Sequence, residues 1–115
     1  MSETRLGWDF SERQDEILLE IPRRLASLNP RLILLFGSRA TGHAAADSDY
    51  DLLVVTTLAA GHGSRTAPIR RLLRGLGVPF DIVVYTPEQW EQFRLHPQSL
   101  AWGLARTGKV LHESR

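Results

Sequence analysis

Residues 36–55 read FGSRATGHAAADSDYDLLVV, and this stretch joins two apolar runs through a loop rich in glycine, alanine and aspartate. Leu32 to Phe36 form an unbroken apolar run that ends at Gly37, as expected of a strand buried on both faces. Tyr50 to Thr57 repeat this apolarity with β-branched residues, which predicts a second strand. Because the loop between them can hold only a turn of helix, these two strands need not be parallel.

The regions outside this stretch predict helices and two more strands. Ser11 and Gln14 resemble a capping box at the start of the first helix, and Pro22 lies inside that helix. The predicted helices lie at about 11–28, from Pro87 to Leu95 and from Gln98 to Arg106, and the predicted strands run from Phe80 to Tyr85 and from Lys109 to His112. A further amphipathic helix is marked by Ile69, Leu72, Leu73 and Leu76, and its other face carries Arg65, Arg70, Arg71 and Arg74. This order predicts an α/β (α+β) fold, with a small mixed β-sheet packed against helices in a single domain over residues 1–115.

The composition limits the classes of function. Fourteen Lys and Arg residues against thirteen Asp and Glu give a net charge of +1, which argues against binding nucleic acid by charge alone. The absence of cysteine excludes disulfides, thiolate nucleophiles and Cys-containing zinc sites. No apolar stretch approaches the roughly 20 residues of a membrane span, and no signal peptide is recognisable. We therefore expect a soluble, cytoplasmic protein that binds neither membranes nor nucleic acid directly.

Two aspartates at alternate positions begin the second predicted strand. Residues i and i+2 of a strand point to the same face, so Asp49 and Asp51 should project together while Tyr50 points the other way. Carboxylates held this close repel one another and lose hydration beside an apolar strand. We therefore expect either a bound cation or a raised pKa for at least one of them.

Three interpretations of this acidic cluster compete. It can be a solvated loop whose aspartates, Asp47 among them, cap turns. It can be a calcium loop, but Leu52 stands where that motif requires glycine and Leu58 where it requires glutamate. It can be a magnesium site for phosphoryl or nucleotidyl transfer, in which carboxylates hold metals that bridge substrate phosphates.

Two further features favour the magnesium site. Gly37 and Ser38 end a buried strand, where backbone N–H groups and a hydroxyl could hold a polyphosphate. Asp81 interrupts the otherwise apolar third strand, and it can join the aspartate pair if that strand lies beside the second. Each feature alone is common in structural turns and at strand surfaces. Their combination is much less expected by chance.

These residues together resemble a known signature. Gly37-Ser38, then SDYDL at 48–52, then Asp81 in a later strand, resemble the GS, DxD and third-acid pattern of the DNA polymerase β-like nucleotidyltransferase superfamily. The segments FGSRATG and SDYDLLVV are most similar to the minimal nucleotidyltransferases, which are small single-domain prokaryotic proteins. The resemblance spans residues 36–85 and implies the polymerase-β-like nucleotidyltransferase fold.

The resemblance also implies a reaction and the residues that perform it. The reaction is a magnesium-dependent transfer of a nucleoside monophosphate, AMP from ATP, to a hydroxyl group. Asp49 and Asp51 would bind two magnesium ions, while Asp81 would complete the metal site and help deprotonate the attacking hydroxyl. Gly37 and Ser38 would hold the β and γ phosphates of the nucleotide, and Arg39 would also contact it.

The same resemblance implies a biological partner. Minimal nucleotidyltransferases commonly act as antitoxins that transfer AMP to a tyrosine of a HEPN-domain toxin. The alternative is a non-catalytic binding module that neutralises a partner protein by contact. An arginine face from Arg65 to Arg74 and the aromatic residues Trp90, Phe93 and Trp102 could form its surface, although such residues are mostly solvated or in the core. The presence of all three acids favours catalysis.

Overall fold

The computed structural model describes residues 5–42, 44, 48–57 and 65–114, and it describes residues 5–12 through their backbone alone. Within this part of the chain, four strands form a sheet packed with helices, as predicted. The elements are α1 (Arg5–Leu25) with a 3₁₀ turn (Ala26–Leu28), β1 (Leu32–Phe36), α2 (Ser38–Thr41), β2 (Tyr50–Val55), α3 (Ala67–Leu73), β3 (Phe80–Tyr85), α4 (Pro87–Phe93), α5 (Leu100–Thr107) and β4 (Lys109–Glu113). None of the helices described combines the length and apolarity needed to cross a bilayer.

The sheet has the strand order β3-β2-β1-β4 and is mixed. β1 is antiparallel to both β2 and β4, which agrees with the short connection between β1 and β2. β2 and β3 are parallel, and a parallel pair needs a crossover connection, which here contains α3. The carboxyl end of β1 and the amino ends of β2 and β3 therefore meet at one edge of the sheet.

Helices cover the two faces of the sheet unequally. On one face, α1 and α3 bury the larger apolar cluster against alternate strand residues, among them Ile33, Leu52 and Ile82. On the other face, the short α4 and α5 bury a smaller cluster around Trp90 and Leu104. Phe36 and Val83 on that second face are only partly buried, so the sheet is more open there.

The first helix differs from its prediction. α1 begins at Arg5, so Ser11 lies inside the helix, and the predicted capping box at Ser11 is wrong. Between Arg5 and Ser11 there is no proline to stop the helix, and Gly7 lowers helix stability by only about 1 kcal/mol relative to alanine. Pro22 likewise does not break α1. We attribute this to the buried apolar face of α1, which offsets the loss of one backbone hydrogen bond.

The boundaries of the later elements shift by a few residues from their predictions. β2 ends at Val55 rather than at Thr57, and α3 spans Ala67–Leu73, so it ends before Leu76, the last apolar position of the predicted helix. The predicted start of α4 is confirmed by a capping box, in which the Thr86 hydroxyl accepts from the Gln89 N–H at 3.1 Å and the Gln89 side chain accepts from the Thr86 N–H at 3.0 Å. The predicted third strand, Phe80–Tyr85, is confirmed without change.

Candidate active site

The parallel pairing of β2 with β3 places two of the predicted acids side by side. Asp51 and Asp81 are direct partners in the register, so their side chains leave the same face of neighbouring strands about 4.8 Å apart. Across the antiparallel pair, Asp51 faces Phe36, the last residue of β1. The prediction that the third strand lies beside the second is therefore confirmed, and the two acids lie on the more open face.

Asp49 lies one residue before β2 and is exposed, as is Asp81. Tyr50, between the two predicted ligands, is 1% exposed and packs in the larger apolar cluster on the other face of the sheet. Its ring centroid lies 5.7 Å from that of Phe80. The expected alternation of Tyr50 and Asp51 is thus confirmed. Asp47, for which the sequence predicts a turn cap or loop solvation, lies outside the described residues.

The pKa of Asp51 is raised above its ordinary value of 3.8, chiefly by burial and further by the negative charges of Asp81 and Asp49. The sequence predicts a raised pKa from repulsion between carboxylates, and the direction agrees. Burial, however, contributes more than repulsion because Asp51 sits on the sheet itself, whereas its two neighbours are exposed. A cation at this edge would favour the ionised form.

Gly37 lies directly against Asp51. Its backbone has φ 74° and ψ −156°, a region that only glycine readily adopts. A Cβ at this position would overlap the Asp51 carboxylate, since it would run into Oδ2 and lie 3.1 Å from Cγ. The glycine of the GS pair therefore allows the end of β1 to pass beside the half-buried carboxylate.

Ser38 begins the single helical turn that the sequence predicts after Gly37. The carbonyl of Gly37 accepts hydrogen bonds from the N–H groups of Ala40 at 3.0 Å and Thr41 at 3.2 Å. The turn ends at Gly42, whose φ is 83° and whose N–H donates to the Ser38 carbonyl. Ser38 is half-buried and lies at the same sheet edge as Asp51.

Arg39 points into the protein, although it immediately follows Ser38. It is 5% exposed, and its guanidinium donates to Gln14 Oε1 at 2.9 Å and to the Ser48 carbonyl at 2.8 Å. The guanidinium also lies over the Tyr50 ring, 4.1 Å from the ring centroid. Arg39 thus ties α1 and α2 to the segment that carries Asp49, a role that no motif in the sequence indicates. Its contact with a nucleotide phosphate stays a prediction.

The three predicted metal ligands do not form a ready ligand group in this structure. Within residues 13–42, 48–57 and 65–114, no three His, Asp or Glu side chains lie close enough together to hold a metal ion. The backbone brings Asp51 and Asp81 into register, but the side chains of Asp49 and Asp81 extend into solvent. Exposed side chains can change rotamer at little cost, so the arrangement leaves metal binding open to them.

Solved structures share the fold. A toxin-antitoxin crystallised with AMP-PNP matches with a TM-score of 0.58 and 23% identity, over 83% of this chain and 72% of that chain. A mutant of the toxin-antitoxin MntA-HpeT matches with a TM-score of 0.56 and 20% identity, over 84% of this chain and 72% of that chain. A Sulfolobus solfataricus protein named as a nucleotidyltransferase matches with a TM-score of 0.53 and 24% identity, over 72% of this chain and 78% of that chain. At these identities the likeness supports the fold alone.

The comparison with family models identifies the chain. No curated protein matches it. The model of the nucleotidyltransferase domain family, however, matches residues 15–101, which include the Gly37-Ser38 turn and all three aspartates of the candidate site. Because this match covers more than half of the sequence, the chain belongs to the nucleotidyltransferase domain family.

Proposed function

We propose that this protein transfers a nucleoside monophosphate, AMP from ATP, to a hydroxyl group of a partner protein in the cytoplasm. The observation that carries the proposal is the sheet edge at which Gly37 contacts Asp51 and Asp51 pairs with Asp81. This edge combines a turn free of side-chain bulk with a pair of carboxylates, and the family match supports nucleotidyl transfer as its chemistry.

Asp49, Asp51 and Asp81 would hold two magnesium ions. Carboxylate oxygens are the ligands that magnesium prefers, and the raised pKa of Asp51 reflects burial and negative neighbours that a cation would offset. When bound, the metal would supply stabilisation of the charge on the phosphate oxygens and would ease ionisation of the attacking hydroxyl.

The residues of the chain would position the reactants on either side of Asp51. Gly37 and Ser38 would hold the β and γ phosphates, with the Ser38 hydroxyl as a donor. The acceptor oxygen would form a bond to the α phosphorus while the bond to the leaving pyrophosphate breaks. Asp81 would take the proton of the acceptor hydroxyl, so the products are the nucleotidylated acceptor and pyrophosphate.

We propose an antitoxin role, with a HEPN-domain toxin as the acceptor. The support is a fold shared with chains from two toxin-antitoxin crystal structures, one of which contains AMP-PNP. In the site described above, the proposed base Asp81 would meet an acceptor at the surface of the protein. A partner protein that brings its own hydroxyl to the exposed Asp81 would suit this geometry.

Transfer of label from ATP tests the proposal. The wild-type protein, magnesium and ATP labelled at the α phosphate are added to a lysate of the source cells, and labelled proteins are separated by size. We expect a labelled band with the wild type, no such band with Asp49→Asn/Asp51→Asn, and an unchanged band with Asp15→Asn, which removes an exposed carboxylate on α1.

Two results would contradict catalysis. The first is the absence of a labelled band with each of the four nucleotides. The second is neutralisation of the toxin by Asp49→Asn/Asp51→Asn at the wild-type level, which would favour the binding module. Both results would leave the fold and the family membership unaffected.

A further inference from the structure

A cavity of about 400 Å³ lies between α3 and the loop that leads into β3. Arg70, Arg74 and Phe80 line it, together with residues of the 75–79 loop, and we call it the cationic cavity. It lies near the candidate site along the chain, since Phe80 is the residue before Asp81 in β3. Nothing in the proposed nucleotide site uses it.

The cationic cavity carries two positive charges, of which a hydrogen bond to the backbone fixes that of Arg70. Arg70 Nη1 donates to the Phe80 carbonyl at 3.0 Å, which fixes its guanidinium at the start of β3. Arg24 Nη1 donates to the Arg74 carbonyl at 2.8 Å, which anchors the backbone there but not the exposed Arg74 side chain. Among the residues whose side chains are described, no carboxylate forms an ion pair with either cavity arginine. Two such guanidinium groups favour a carboxylate or phosphate.

The strand order places this cavity on the acceptor side of the site. The β and γ phosphates are assigned to Gly37 and Ser38, beyond β1, and Asp81 lies two strands away, about 10 Å across the sheet. In nucleotidyl transfer the attacking and leaving oxygens lie roughly in line through phosphorus. A leaving group on the β1 side therefore requires an acceptor that approaches over β3.

The outer edge of β3, which pairs with no other strand among the described residues, lets one polypeptide reach both places. Successive strand residues point to opposite faces, so the Asp81 carboxylate and the cationic cavity lie on opposite sides of β3. β3 is an outer strand of the sheet, so a chain can cross its edge. A crossing of about 10 Å corresponds to about three residues of extended chain.

We propose that the cationic cavity binds an acidic side chain of the protein acceptor, about three residues from the hydroxyl that receives the nucleotide. This inference rests on the proposed function for its acceptor. A nucleic acid strand fits less well, because it would need a row of phosphate contacts, and the chain has a net charge of only +1. The triphosphate of the nucleotide fits the cationic cavity less well, because the Gly37-Ser38 turn proposed to hold it lies on the side of Asp51 away from β3.

Peptide binding without nucleotide tests the inference separately from catalysis. The probe is a fluorescein-labelled peptide with one tyrosine flanked by glutamates, and its control is the same peptide with glutamines in place of the glutamates. The affinity of each peptide for the full chain is measured by fluorescence anisotropy. We expect the glutamate peptide to bind more tightly and Arg74→Gln to weaken it about fivefold. Arg71→Gln is the matched control, since Arg71 is exposed on α3 but does not line the cavity. Arg70→Lys, which keeps a donor and a charge, should retain most of the affinity.

Four results would overturn the inference. The first is equal affinity for the two peptides, and the second is an equal loss of peptide affinity in Arg71→Gln and Arg74→Gln. The third is a loss of magnesium-ATP affinity in Arg74→Gln, and the fourth is a single-stranded RNA oligonucleotide that binds more tightly than the glutamate peptide and depends on Arg74 to the same extent. The third result would assign the cavity to the nucleotide, and the fourth to a nucleic acid acceptor. Failure of label transfer with an intact peptide result would contradict the proposed function alone.

Discussion

Gly37→Ala should damage both the stability of the protein and its candidate site. The backbone at Gly37, with φ 74° and ψ −156°, lies in a region that costs other residues about 1–3 kcal/mol. The new methyl group would also overlap Asp51 Oδ2, and only displacement of the carboxylate can relieve that overlap. We therefore expect a loss of about 2 kcal/mol in the free energy of unfolding together with a displaced Asp51.

Gly42→Ala separates these two effects. Gly42 also has a positive φ, 83°, but a Cβ there would meet nothing within 4 Å. Its substitution should cost about 1 kcal/mol through the backbone alone and leave Asp51 in place. The comparison of the two variants therefore isolates the contact between residue 37 and the carboxylate.

Urea denaturation and thermal shift provide the measurements. With a typical m value of about 2 kcal/mol per molar urea, Gly37→Ala should lower the midpoint by about 1 M. Magnesium-ATP should raise the melting temperature of the wild type and of Gly42→Ala but not that of Gly37→Ala. A Gly37→Ala protein with the ligand response of Gly42→Ala would refute the inference that the glycine is needed to accommodate Asp51.

Three further predictions concern pH, Arg39 and the cap of α4. Because the pKa of Asp51 is raised in the fold above 3.8, its protonated form stabilises the metal-free protein, and this contribution should be lost as pH rises through the raised pKa. Urea titrations across pH should show that fall in the wild type and a flatter profile in Asp51→Asn. Arg39→Ala should cost about 2–4 kcal/mol in urea denaturation, since it leaves the Ser48 carbonyl without its guanidinium donor, whereas exposed Arg71→Ala should cost under about 0.5 kcal/mol. Thr86→Ala should cost about 1 kcal/mol by calorimetry because it removes the hydroxyl that caps α4.

The sequence predicts the strands β1 and β3 well because their physical cause is local. Leu32–Phe36 is a short apolar run that ends at a glycine, and Phe80–Tyr85 is a short run interrupted only by Asp81, and their lengths and flanking turn residues favour strands over helices. The pairing of Asp51 with Asp81 required one more assumption, that β3 lies beside β2. The aspartates supplied the reason for it, because a lone carboxylate in an apolar strand is more easily explained next to others.

What the sequence could not show depends on contacts between distant residues. The bond from Arg39 to Gln14 joins α2 to α1 across 25 positions, and nothing near Arg39 distinguishes a buried arginine from one that contacts phosphate. The start of α1 was misplaced because Ser11 and Gln14 match a cap pattern that helical residues can also carry. The largest cause of the raised pKa of Asp51 is burial, which depends on how the sheet is covered.

Asp51 links these observations, because the same position carries the stability cost and is proposed to hold the metal. Burial raises the pKa of Asp51, so ionisation of its carboxyl group lowers the stability of the fold. The negative charges of Asp81 and Asp49 beside it raise that pKa further. Such an arrangement destabilises the metal-free fold at neutral pH, and it makes ligand binding and folding stability interdependent. Gly37 has the complementary property, since glycine adopts this backbone conformation readily and leaves room for that carboxylate. A carboxylate that lowers stability in the absence of ligand is better explained by binding than by folding.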